Sequence, residues 1–170
     1  LGSSVTLTSI TVDGTAASPD TLGLASSGYT LTLTGNGTPL TLNTGSTLDG
    51  GTNSTVKFAP AATTGVTVPA ATYHHIEFNK ASNTFTLGGI LDANGNLTIT
   101  AGTLDTSSAN NYSMNVGGNW ANSGTFTANS SIVTFDGINQ SVNGSTTFFN
   151  FSKIELTNDA SDAALTFNSS

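Results

Sequence analysis

The only histidines, His74 and His75, are adjacent, and Glu77 follows two residues later. In a strand, neighbouring side chains point to opposite faces, so the two imidazoles cannot share one metal without a bulge. Only Glu77 lies on the side of His75. A second cluster, Asp92-Ala-Asn94-Gly95-Asn96, has oxygen ligands at alternate positions around a glycine, as a calcium loop would. It lacks further carboxylates and a closing bidentate glutamate, and a hairpin turn uses the same residues. No metal site and no cofactor is therefore predicted. For catalysis, the two glutamates Glu77 and Glu155 could serve as an acid–base pair in glycoside hydrolysis. They occupy equivalent places in two related stretches, however, which reads as a strand-face position. The three lysines, Lys57, Lys80 and Lys153, are isolated, and there is no Gly-x-Ser-x-Gly. No catalytic residue is assigned, and the expectation is a protein that is not an enzyme.

The elements that must carry these residues are strands. Thr (31), Ser (21), Gly (19) and Asn (18) make up more than half of the 170 residues, a composition that alone suggests disorder. The apolar residues argue otherwise, because Leu, Ile, Val and Phe alternate with Thr in short runs such as Tyr29-Thr-Leu-Thr-Leu-Thr34. Period-two alternation is the mark of a half-buried strand. The alternation places strands at about 4–12, 29–34, 39–43, 54–58, 65–68, 73–79, 83–87, 96–100, 112–117, 131–136, 147–156 and 164–167. Turn signals such as Asp13-Gly14, Asn94-Gly95, Gly117-Gly118 and Asn143-Gly144 separate them. Residues 158–165 offer one helical turn at most.

The charge balance excludes several partners. Three cations against ten acids give a formal charge of −7, with no arginine. Binding to nucleic acid or anionic lipid requires cations, so neither is expected. No apolar run approaches the roughly 20 residues of a membrane helix. Cysteine is absent, and the Ser/Thr/Asn excess over Lys, Arg and Glu is an extracellular kind of composition. The chain opens at Leu1 without a basic or apolar leader, which reads as a mature or excised product.

Two stretches repeat one another. Thr21 to Gly37 resembles Thr103 to Trp120, Ser54-Thr-Val-Lys-Phe58 recurs as Ser131-Ile-Val-Thr-Phe135, and Thr72 to Phe78 has a looser echo in Thr147 to Leu156. Boundaries follow as a lead-in strand (1–20), a first repeat (21–101) and a shorter second repeat (102–170). The fold class expected is all-β, either an internally duplicated β-solenoid or stacked β-sandwich or jelly-roll-like units.

Within the lead-in, Val5 and Leu7 share one face and Ile10 and Val12 the other, with Ser9 at the phase change. That pattern fits an arm that switches sheets or adds to a neighbouring subunit, which makes these four residues the candidate assembly strand. Phe148, Phe149 and Phe151 are the candidate core or subunit contact. Trp120 and the tyrosines Tyr29, Tyr73 and Tyr112 are candidate stacking platforms for a glycan. Thr-x-Thr recurs at Thr6/Thr8, Thr30/Thr32/Thr34, Thr84/Thr86, Thr98/Thr100 and Thr125/Thr127, the residue type with which some solenoids bind ice. The irregular spacing of these pairs argues against a regular lattice.

Asn96-Leu-Thr-Ile-Thr-Ala-Gly-Thr-Leu-Asp105, Val116-Gly-Gly-Asn-Trp-Ala-Asn-Ser-Gly-Thr-Phe-Thr127 and Ser131-Ile-Val-Thr-Phe-Asp-Gly137 together resemble the Gly/Thr/Asn-rich repeats of secreted bacterial surface proteins. These are the adhesin-like and autotransporter-like β-solenoid arrays, and the resemblance spans roughly residues 54–158. It implies an extracellular or cell-surface structural role with long parallel coils. Those arrays are much longer, so the expected partners are copies of the same chain adding end to end, with a glycan as the alternative ligand.

Overall fold

In a computed structural model, which describes residues 2–24, 28–154 and 164–168, the chain is a parallel β-solenoid of about seven turns. The described residues contain nineteen strands and no helix, hence no helix long and apolar enough to cross a membrane. The first coil holds β1 (Val5–Leu7), β2 (Ile10–Val12) and β3 (Thr21–Gly23). The second holds β4 (Thr30–Leu33), β5 (Leu40–Leu42) and β6 (Thr47–Asp49), and the third β7 (Thr55–Phe58), β8 (Val66–Val68) and β9 (Ala71–Tyr73). In the fourth and fifth, long strands β10 (His75–Leu87) and β12 (Leu97–Asp105) run through a corner, followed by β11 (Leu91–Ala93) and β13 (Met114–Val116). The sixth has β14 (Trp120–Asn122), β15 (Thr125–Thr127) and β16 (Ile132–Phe135). The last turns hold β17 (Gln140–Gly144), β18 (Asn150–Lys153) and β19 (Leu165–Asn168).

Every strand pairing is parallel, and the coils stack into three faces. The first face is β1-β4-β7-β10-β12-β14-β17-β19. The second joins β8, the far half of β10, the far half of β12, and β15. The third is β9-β11-β13-β16-β18, with β3 and β6 paired above it. The unit that recurs along the solenoid is one coil. Along the first face 26 residues separate Val5 from Leu31, whereas 20 separate Val56 from Ile76. Corner loops absorb the difference.

The core is a set of columns. Val5, Leu31, Val56, Ile76, Leu97, Trp120, Val142 and Phe167 lie in register, one per coil. From Leu31 to Val142 they are buried. A parallel column runs through Leu7, Leu33, Phe58, Phe78 and Ile99, with Phe58 stacked on Phe78 at 5.9 Å. Each fully buried side chain of this kind contributes roughly 1.5–3 kcal/mol by leaving water. Alternation sends these residues inward and the intervening Thr, Asn and charged residues outward, which is why a polar sequence can still own a continuous core.

Tight corners let the coils approach. Gly144 has φ +86°, and a Cβ there would lie 1.9 Å from the Asn122 carbonyl oxygen. Gly137 is equally close to the coil above, its Cβ position lying 1.7 Å from the Gly117 carbonyl oxygen.

Candidate functional site

The candidate assembly strand is the first coil. β1 lies on the first face against β4, and β2 turns the corner to pair with β5. The phase change at Ser9 thus coincides with a change of sheet. Val5, Leu7 and Ile10 are half-buried, Val12 is buried, and the outer edge of β1 has no partner strand among the described residues.

The opposite end is richer in exposed apolar surface. Phe151 lies in register below Leu91, Met114 and Val133, all buried, yet it is 44% exposed. Phe167 continues the Val5 column and is 54% exposed. Their rings touch, with centroids 5.6 Å apart. Phe149 and Ile154 are exposed beside them. Phe148 is half-buried instead, in a ring cluster with Trp120, Phe126 and Phe135. Of the candidate phenylalanines, then, Phe148 belongs to the core and Phe149 and Phe151 to the surface of the last coil. The sequence reading did not single out Phe167, whose signal was its place in a one-per-coil column.

The chemistry-bearing residues on the faces are held in stacking contacts. His75 accepts a hydrogen bond at Nδ1 from the Asn96 backbone N–H (2.8 Å), and its Nε2 faces Asn53 Oδ1 at 3.3 Å. The proton therefore sits on Nε2 and the ring is neutral. Burial, and then the neighbouring His74, lower its pKa below the usual imidazole range. Glu77 accepts from Lys57 Nζ (3.0 Å), Thr100 Oγ1 (2.9 Å) and Asn79 Nδ2 (3.1 Å). Partial burial acts to raise its pKa and is the largest single influence. The hydrogen bonds and the Lys57 charge together outweigh it, so the carboxyl is held below the usual range. The other glutamate, Glu155, and most of the helical turn over 158–165 fall outside the described residues.

Asp92 faces outward on the third face, where it accepts from Thr72 Oγ1 at 3.2 Å. The loop after it stacks on the previous coil, with Asn94 N–H donating to the Tyr73 carbonyl and Gly95 N–H to that of His74. Among the described residues no three His, Asp or Glu side chains gather as a metal site would require. A groove of about 400 Å³ opens on the same face between Leu48, Ala71, Thr72, Ile90 and Asp92.

One column at the corner before the first face shows a ladder that the sequence did not reveal. Ser4 Oγ accepts the N–H of Thr30 (3.0 Å), His75 Nδ1 that of Asn96, Asn96 Oδ1 that of Asn119 (2.8 Å), and Asn119 Oδ1 that of Ser141 (2.8 Å). Each side chain receives a backbone donor from the next coil. These asparagines follow Gly95 and Gly118, so the Gly-Asn corner doublets were their visible trace.

The candidate glycan platforms are mostly interior. Trp120 is fully buried and donates from Nε1 to Thr146 Oγ1, and Tyr73 is fully buried with its hydroxyl donating to the Pro69 carbonyl. Burial pushes the Tyr73 phenol far above its usual range. Tyr29 and Tyr112 are half-buried.

The Thr-x-Thr pairs separate onto two faces. Thr6, Thr32 and Thr98 share one outward column of the first face with Lys57 and Glu77 between them. On the second face Thr84, Thr103 and Thr125 form one column, and Thr67, Thr86, Asp105 and Thr127 the next. Compared with family models, curated proteins and solved structures, the chain matches none. The fold and its surfaces are thus what define the molecule: a three-faced parallel β-solenoid whose β1 and β19 have one edge without a partner strand among the described residues.

Proposed function

We propose that this chain is a non-enzymatic structural protein of the extracellular space or cell surface, a solenoid subunit whose copies add end to end. The observation that carries the reading is the last coil. Phe151 and Phe167 stand where earlier coils bury Val133 and Val142, and a further coil of like pattern would cover them. A second copy supplies such a coil, because β1 carries Val5 and Leu7 at the same inward positions and has an edge without a partner strand among the described residues. Pairing β19 with β1 of the next molecule would continue the parallel ladder and set Val5 over Phe167. Contact between unlike ends stacked along the solenoid axis propagates as a fibre, because no rotation brings the ends back together.

Sedimentation velocity and negative-stain electron microscopy of the purified chain test this. Concentration-dependent linear polymers are expected, and Phe151→Lys with Phe167→Lys should leave monomers with unchanged circular dichroism. Removing residues 1–12 would uncover Leu31 and Leu40, so Val5→Lys is the cleaner probe of the other end. A wild-type chain that stays monomeric at all concentrations overturns the reading.

A further inference from the structure

The second face differs from the rest of the surface in holding almost nothing but threonine. In register from coil to coil, one outward column is Gly65, Thr84, Thr103 and Thr125, and its neighbour is Thr67, Thr86, Asp105 and Thr127. The parallel bridge between Gly37 and Val66 sets Thr38 above Thr67, so the second column extends one coil further. All seven threonines are exposed or half-buried. None of their hydroxyls bonds to another described residue, whereas Thr100 on the first face is committed to Glu77. The one acid, Asp105, is turned to its own corner, where it accepts from Ser107 N–H (2.9 Å) and Asn129 Nδ2 (2.7 Å). Beneath the array the inward residues Val66, Phe85, Leu104 and Phe126 are buried, which fixes the backbone that carries it.

Strand geometry sets the grid: roughly 4.8 Å between coils and roughly 6.7 Å between alternate residues along a strand. Each of the seven threonines carries one methyl and one hydroxyl on a χ1-restricted side chain, while Gly65 and Asp105 carry neither. We propose that this face binds the surface of ice. A lattice of hydroxyls, whose one carboxylate is engaged by Ser107 and Asn129, anchors ordered water by hydrogen bonds, while the methyl groups between them seat in its cages. A sugar polymer would instead be expected to meet aromatic rings, and this face presents none. The irregular chain spacing of the Thr-x-Thr pairs does not oppose the assignment, because corner loops of different length bring Thr84/Thr86 and Thr125/Thr127 into register on this face while the other pairs lie on the first.

The test is independent of end-to-end assembly and is made on the Phe151→Lys/Phe167→Lys form as well as on the wild type. Thermal hysteresis and incorporation of fluorescently labelled protein into a growing ice hemisphere are measured. Shaped crystals, hysteresis and a labelled crystal plane are expected. Thr103→Tyr, in the middle of the array, should remove most of the hysteresis without shifting the thermal melt. Thr32→Tyr on the first face should leave it unchanged. Exclusion of wild-type protein from the ice, equal loss from both substitutions, or retention on crystalline cellulose or chitin with no effect on ice would each overturn the proposal.

Discussion

Phe135 and Phe151 make the same alternating contribution to the third face, yet one is wholly buried and the other nearly half exposed. Their strands, β16 and β18, are neighbours in one parallel sheet. The difference is whether a coil lies beyond. In a quasi-one-dimensional protein, burial is conferred by the neighbour rather than by local sequence, so the end coil carries core residues that have no core. The body and the end of this solenoid therefore respond differently to the same substitution.

The largest contrast should come from aromatic truncation. Trp120→Ala removes a fully buried ring packed on Phe126 and Phe148, and is expected to cost about 3–5 kcal/mol in denaturant unfolding. Phe167→Ala should cost no more than about 1 kcal/mol, since half of its surface already meets water. Equal losses would mean that the end coil is covered in solution.

Next comes coil spacing. Gly144→Ala combines a positive φ with a Cβ driven against the Asn122 carbonyl, and should cost more than the roughly 1–2 kcal/mol of left-handed backbone alone. Gly37→Ala also has positive φ (+67°) but meets nothing within 4 Å, and should show only that smaller loss. Thermal melts of the pair isolate the effect of close stacking.

A smaller effect belongs to the corner ladder. Asn119→Ala removes the acceptor of the Ser141 N–H and should destabilise by about 0.5–1 kcal/mol, since the bond is solvent-exposed, against almost nothing for Thr98→Ala on the adjoining face. Hydrogen exchange at Ser141 should quicken in the first variant alone.

The smallest is electrostatic. Because the folded-state pKa of Glu77 is depressed, its contribution is present above the ordinary glutamate pKa and is lost as the pH falls through the folded value. Lys57 and Glu77 are about a quarter exposed, so the contribution is expected to stay below about 1 kcal/mol. Glu77→Gln should flatten the acid limb of the stability profile by that amount and leave neutral stability of the end coil untouched.

Much of this fold was legible in the sequence where alternation ran for four residues or more. Thr30–Leu33, Thr55–Phe58 and Ile132–Phe135 all lie within strands expected from pattern. The third face of the first four coils was not legible. Its strands Thr21–Gly23, Thr47–Asp49, Ala71–Tyr73 and Leu91–Ala93 are three residues long, too short to establish a period. The similarity of Ser54–Phe58 to Ser131–Phe135 is real at the level of residues, but β7 lies on the first face and β16 on the third. Both stretches answer the same local demand, a buried Ser before an alternating strand, so likeness of sequence did not mark the repeating unit. The end surface was half legible: the Phe148–Phe151 cluster stood out, but its division between core and solvent depended on register that no single stretch contains.

The corner ladder has a direction. In each rung the accepting side chain belongs to the earlier coil and the donated N–H to the later one, from Ser4 and Thr30 through to Asn119 and Ser141. At these four rungs a chain appearing N-terminus first would find the acceptor already laid down when the later coil's N–H arrives. These contacts favour stacking in chain order, each later coil settling on a side chain that the earlier one already holds in place.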